Sequence, residues 1–206
     1  MSIQFRPATL EDAPIVAELM LQSGPALMHY AYATETKRTL DFLEFAFRSG
    51  KGIFGYQITT VGVDQGKLIF TCGHYATANY GKLVWDTLTL SLAFYGWRGI
   101  WPVLRKGLEI GKLYLTPPKN GIYLANICTA ASHRGQGLFS QWFADFAKGG
   151  QVAGMQYLVL DVAMDNSAAH ALYQRLGFIS IAEKKSTGAA PIAGIRRMHW
   201  LLPTKK

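Results

Sequence analysis

Along this chain, short runs of β-forming residues alternate with longer runs of helical period, and that alternation is what most constrains the fold. Ile3 to Arg6 reads as a strand, and Thr9 with Asp12 three residues later makes a capping-box-like start for a helix toward Leu21. A second helix over 35–47 places Leu40, Leu43 and Phe47 on one side. Strands at Gly55 to Val63 and Lys67 to Thr77 flank Asp64-Gln65-Gly66, which supplies hairpin chemistry. Further strands are predicted at Gly121 to Thr129, Tyr157 to Val162, Ile179 to Glu183 and Ile195 to Leu201, with helices after Gly137 and from Asn166 to Leu176. Strands joined partly by helices and partly by hairpins predict a mixed α/β sheet in a single domain, residues 1–206.

The segment from about 80 to 118 departs from that alternation and reads as a helical insertion between two central strands. Leu90, Phe94, Trp97, Trp101, Leu104 and Leu108 recur at three- and four-residue steps, the stripe of an amphipathic helix or helix pair. Gly96, Gly99 and Pro102 place a break near Trp101, because proline suits a first helical turn and not an interior. Its tryptophans have two readings: a helical hairpin that covers the sheet or forms a homodimer contact, or an acceptor pocket lined by Trp97 and Trp101.

Composition narrows the class. Half of the 206 residues are hydrophobic, which fits a globular core rather than disorder. The most apolar stretch, Leu83 to Tyr95, is interrupted by polar residues and falls short of the roughly 20 that a membrane span requires. The net charge of +8 is scattered, with no nucleic-acid motif behind it, so no nucleic-acid partner is expected. Cys72 and Cys128 stand far apart with no metal-like pairing, and no charged-then-apolar leader opens the chain. The expectation is a cytoplasmic protein with free thiols and no metal.

Two local patterns carry chemistry. Arg134-Gly135-Gln136-Gly137 lies between a strand and a helix, where glycines let the backbone approach a ligand and the helix start offers free N–H groups. It reads as a diphosphate cradle or as a plain tight turn. The second pattern runs from Asn166 through Ala169, Leu172 and Tyr173 to Gly177-Phe178, a helix begun at an Asn cap and ended at a glycine.

That second pattern resembles the N-x-x-A-x-x-L-Y-x-x-x-G-F helix of the GCN5-related N-acetyltransferase (GNAT) superfamily, and it matches every specified position. Phe5 to Thr9 with Glu11 to Ala13 resembles the family's opening strand and helix, and Asn126 to Gly137 resembles its cofactor strand and loop. The family loop is commonly Q/R-x-x-G-x-G/A; here Ser132 fills the first place, and Phe139 stands where a third glycine is frequent.

The resemblance implies a GNAT-like fold and an acetyl-CoA-dependent N-acetyltransferase that acts on a primary amine by direct attack. The backbone of Ile127, Cys128 and Thr129 would pair with the pantetheine arm, and the N–H groups of Arg134, Gly135, Gln136, Gly137 and Leu138 would surround the pyrophosphate. Asn166 would bond the arm or cap its helix, a backbone N–H near Cys128 would stabilise the oxyanion, and Tyr173 would be the general acid toward the thiolate. Asp161, His74 and His170 are candidate bases, each with a structural reading beside it, and Cys128 reads as a buried strand residue rather than a nucleophile. The rival from another class is a regulatory module that binds coenzyme A without catalysis.

Overall fold

A computed structural model describes residues 3–35, 37–149, 152 and 154–202. It builds one seven-stranded sheet from β1 (Gln4–Pro7), β2 (Thr59–Asp64), β3 (Lys67–Ala76), β4 (Gly121–Thr129), β5 (Tyr157–Ala163), β6 (Ile179–Lys185) and β7 (Gly194–Leu201). Their spatial order is β1-β2-β3-β4-β5-β7-β6. The β4–β5 pair is parallel and every other neighbour is antiparallel. The helices are α1 (Ala13–Ser23), α2 (Pro25–Tyr32), α3 (Thr39–Arg48), α4 (Tyr80–Gly111), α5 (Leu138–Phe146) and α6 (Ser167–Arg175).

Local chemistry accounts for several boundaries. The Thr9 backbone N–H donates to Asp12 Oδ2 at 2.8 Å, and Asp12 also takes a two-pronged contact from Arg6 at 2.7 and 2.8 Å. The capping residues thus hold a short 3₁₀ turn, Leu10–Asp12, from which α1 continues. The expected helix over 35–47 begins later, at Thr39. The expected strand from Gly55 also starts late, because Gly52–Phe54 and Tyr56–Ile58 form tight 3₁₀ turns packed so closely that a Cβ on Gly55 would collide with the Gly50 carbonyl. Helix α2 is an addition to the sequence reading, although Gly24-Pro25 carries its signal, a proline at the first helical position.

The insertion is helical and lies between β3 and β4, but its break falls elsewhere than expected. Gly96 leaves helical geometry at φ 69° and ψ 175°, while Pro102 sits inside the continuing helix. That kink resets the helical phase. Leu83, Thr87, Ser91 and Tyr95 face the body of the protein before it, and Ile100 and Val103 after it. The stripe drawn through 90–108 therefore does not stay on one side, and Trp97, Trp101 and Leu108 are 71%, 59% and 72% exposed.

Period-two alternation gives the sheet two different faces. On one, Phe70, Cys72, Ile122, Leu124, Leu158, Leu160 and Met198 pack under Trp142, Phe143 and Phe146 of α5. Tyr75, Tyr123 and Val159 lie on the other, beneath Leu83 and Tyr80 of α4. A further apolar cluster, with Met20, Phe42, Phe47 and Tyr95, joins α1, α3 and α4.

Candidate functional site

The parallel strands β4 and β5 pair only from Gly121 to Leu124 against Tyr157 to Leu160. Beyond that point β4 follows β3 and β5 follows β7, so the two separate into a wedge. A bulge helps to turn β4 away: Thr71 opposes Cys128 and Gly73 opposes Ala125, which sets two residues, Asn126 and Ile127, against Cys72. Asn126 adopts φ 51°, and its side chain donates to the Ile53 carbonyl at 3.0 Å. Ala125 to Thr129 therefore have no β5 partner on the wedge side, a strand edge open to an extended ligand.

At the end of β4 the chain turns through Arg134 to Gly137. Gly135 and Gly137 sit at φ 77° and 76°, the left-handed region that glycine occupies without penalty, and a Cβ added at either would meet nothing within 4 Å. Arg134 Nε donates to the Thr129 carbonyl at 3.1 Å and Gln136 Nε2 to that of Ser132 at 3.3 Å, bonds that fix the turn from within. The first N–H of this helix to close a full α turn is that of Gln141, donating to Gly137 O at 2.9 Å. The N–H groups of Leu138, Phe139 and Ser140 thus stand at an α5 start that has no side-chain cap. Backbone donors in open space suit a diphosphate. Ser132 bonds its neighbour His133 at 2.8 Å, and Phe139 turns inward, 4% exposed and edge-on to Tyr173, so neither departure from the family loop intrudes on those donors.

The wedge opens into a cavity of about 360 Å³. Tyr173, on α6, lines it and is 7% exposed. Burial pushes its phenol well above its ordinary value, with lesser contributions from the nearby Cys72 and Cys128, so it stays protonated. Asn166 also borders the cavity and caps α6, its Oδ1 accepting from the Ala169 N–H at 3.1 Å. Ile127 lines the same space. Cys128 is buried, and burial raises its thiol although Arg134 opposes the shift, so a thiolate nucleophile is disfavoured.

The candidate bases fare differently. Asp161 reaches the cavity, yet its oxygens accept from Arg197 Nε and Nη2, both at 2.7 Å, and from Tyr123 Oη at 2.7 Å. Such a carboxylate is a structural anchor rather than a free base. His74 lies on the opposite face, against Phe146 and Trp142, bonded to Thr60 Oγ1 at 3.0 Å, and burial lowers its pKa to about 4. His170 pairs with Ser180 at 3.2 Å and does not border the cavity. Trp97 and Trp101 stack edge to face in solvent, 5.9 Å apart, away from the cavity; the insertion reaches it through Tyr80, Val84 and Gly107 instead.

Sequence reasoning missed Tyr75, Tyr123 and Arg197. Register places Tyr75 opposite Tyr123 and Asp161 opposite Arg197, and one face collects all four. The available signal was the pair Arg196-Arg197 inside the otherwise strand-like run Ile195 to Leu201, one of which must face the buried side of the sheet.

Residues 89–178 match the model of the acetyltransferase (GNAT) family. No curated protein sequence matches the chain. Among solved structures, an N-acetyltransferase from Staphylococcus aureus Mu50 is similar at TM-score 0.72 and 19% identity, over 96% of this chain and 100% of that one. The chain has the GNAT fold. A GCN5-related N-acetyltransferase from Kribbella flavida aligns at TM-score 0.57 and 18% identity, over 97% and 98% of the two chains. The yncA protein of Salmonella typhimurium, solved with its cofactor acetyl-CoA, aligns at 0.56 and 14%, over 100% and 97%. In this GNAT fold the wedge and Tyr173 meet at the cavity, and the glycine turn follows at the far end of β4. Among the described residues no helix is long and apolar enough to cross a membrane, and no group of three or more His, Cys, Asp or Glu is arranged to hold a metal.

Proposed function

We propose that this chain is an acetyl-CoA-dependent N-acetyltransferase that acts on a primary amine, with residues 1–206 working as one domain. The observation that carries the reading is the unpaired edge of β4 from Ala125 to Thr129, which leads from the glycine turn to the cavity beside Tyr173. The N–H groups of Gly135 through Leu138 hold the diphosphate, that of Arg134 already donating to the Ala131 carbonyl at 3.4 Å, and the backbone of Ile127, Cys128 and Thr129 pairs with the pantetheine arm.

In this reading the acceptor nitrogen bonds to the acetyl carbon as the carbon–sulfur bond breaks, and the proton shed by nitrogen ends on the departing sulfur. Tyr173 donates a hydrogen bond to that sulfur. A phenol raised by burial is a poor source of a fully transferred proton but a steady donor, so its role is to stabilise developing charge. With Asp161 locked to Arg197, the amine must arrive neutral, and the low-polarity cavity itself favours the neutral form.

Calorimetry with coenzyme A, followed by thiol release from acetyl-CoA over a panel of amines, tests the proposal. Micromolar to millimolar affinity together with amine-dependent release supports it. Folded protein that ignores the coenzyme rules it out, and binding without release under every amine leaves a regulatory module in its place.

A further inference from the structure

The cavity's walls have a chemistry of their own. Six tyrosines contribute to them: Tyr32, Tyr75, Tyr80, Tyr114, Tyr123 and Tyr173. Met28, Phe54 and Val84 add apolar surface. The lining contains no lysine, arginine, histidine or glutamate among the described residues, and Asp161 is its one carboxylate. That charge is already cancelled. Arg197, 3% exposed, grips both Asp161 oxygens and spends its remaining reach on the carbonyls of Leu115 at 2.7 Å and Thr116 at 3.1 Å. Its guanidinium also lies over the Tyr123 ring, 5.7 Å from the centroid.

Such a wall discriminates by what it lacks. A second ammonium or a carboxylate on the ligand would lose its water and find no free counter-charge, a heavy penalty in a low-polarity site. An aromatic body, in contrast, meets ring faces and edges with which it packs favourably. Size points the same way: about 360 Å³ lies near the lower end of ligand pockets, which run from roughly 300 to 1,000 Å³. On the transferase reading the same space, bordered by Ile127, Asn166 and Tyr173, also receives the acetyl end of the coenzyme. A small molecule suits it better than a peptide segment.

We infer that the acceptor site takes small primary amines with an uncharged aromatic body, the arylalkylamine class, and rejects amino acids and polyamines. This rests on the transferase reading for its chemistry, but the pocket's preference is a binding property that is measured separately. Bond formation is as above: nitrogen gains the acetyl carbon, sulfur leaves with the nitrogen's proton, and no further reactant is needed.

The experiment uses the full chain with 2-phenylethylamine and tyramine against glycine, lysine and spermidine, read by calorimetry with and without coenzyme A and by thiol release. The variant Val84→Glu adds a charge at a lining position that is 43% exposed, where folding tolerates it. Expected is a kcat/KM for the aromatic amines at least about 10²-fold above the others. Val84→Glu should narrow that gap about tenfold by admitting spermidine. Coenzyme binding with glycine, lysine or spermidine preferred overturns the inference and leaves the transferase reading in place. Coenzyme binding with none of these amines bound overturns the inference, and the wider amine panel then decides between transferase and regulatory module. If coenzyme fails to bind while 2-phenylethylamine binds in preference to spermidine and Val84→Glu narrows that preference, the transferase reading falls and the pocket assignment stands. If neither binds, both fall.

Discussion

The two faces of the sheet are both buried, yet they are built on opposite terms. Under α5 the side chains are almost all hydrocarbon, and Phe70, Leu124, Leu158, Leu160 and Met198 are at most 2% exposed. Beneath α4 and α2 the same strands present Tyr75, Tyr123, Asp161 and Arg197, and a cavity remains. One face is closed by apolar packing. The other tolerates its central polar groups because Tyr123, Asp161 and Arg197 bond to one another, and it borders the cavity.

The sharpest way to break that contrast is Arg197→Ala. It strands Asp161 as an unpaired buried charge and should cost about 3–5 kcal/mol, read as a lower denaturation midpoint. The triple variant Arg197→Met, Asp161→Leu, Tyr123→Phe removes the network and should recover most of the loss. If it does not, the pair contributes more than mutual compensation.

The packed face has its own probe in His74. Its folded pKa of about 4 lies below the ordinary 6.5, so above pH 6.5 the histidine is neutral in both states and costs nothing. Between pH 6.5 and 4 the unfolded chain binds the proton more readily, and stability falls as pH falls, by up to ~3 kcal/mol, levelling off below pH 4. Urea midpoints across that window should flatten by a comparable amount in His74→Gln.

Tyr173 touches both faces' business, packing on Phe139 and Phe178 while its hydroxyl-bearing ring borders the cavity. Tyr173→Phe should lower kcat by about 10²-fold with coenzyme affinity nearly unchanged, separated by steady-state kinetics and calorimetry. The smallest effect belongs outside both faces. Trp97→Ala, on an exposed ring, should move stability by no more than about 0.5 kcal/mol and leave acceptor preference unchanged, as measured by melting and by the amine panel.

Much of the fold was legible because its signals are local. Gly121 to Thr129 was read as a strand to the residue, since β-formers end there and a turn follows. The α6 cap was legible because Asn166 bonds within its own turn. The insertion was read in outline and misread in phase: a single glycine at φ 69° rotated the second half of α4, and no periodicity count crosses such a kink correctly. Trp97 and Trp101, for which a pocket lining was one of two readings, face solvent, and the cavity is lined from α4 by other residues.

By itself the sequence determined the seven strands, every helix but α2, the glycine turn and the cap at Asn166, because each is decided by hydrogen bonds and torsions within a few residues of chain. Only the tertiary structure decided that Asp161 is tied to Arg197, 36 residues away, rather than free to act as a base. It alone gathered tyrosines from β3, β4 and the α4 region around one space, since strand register, not proximity in the chain, chooses which side chains share a face.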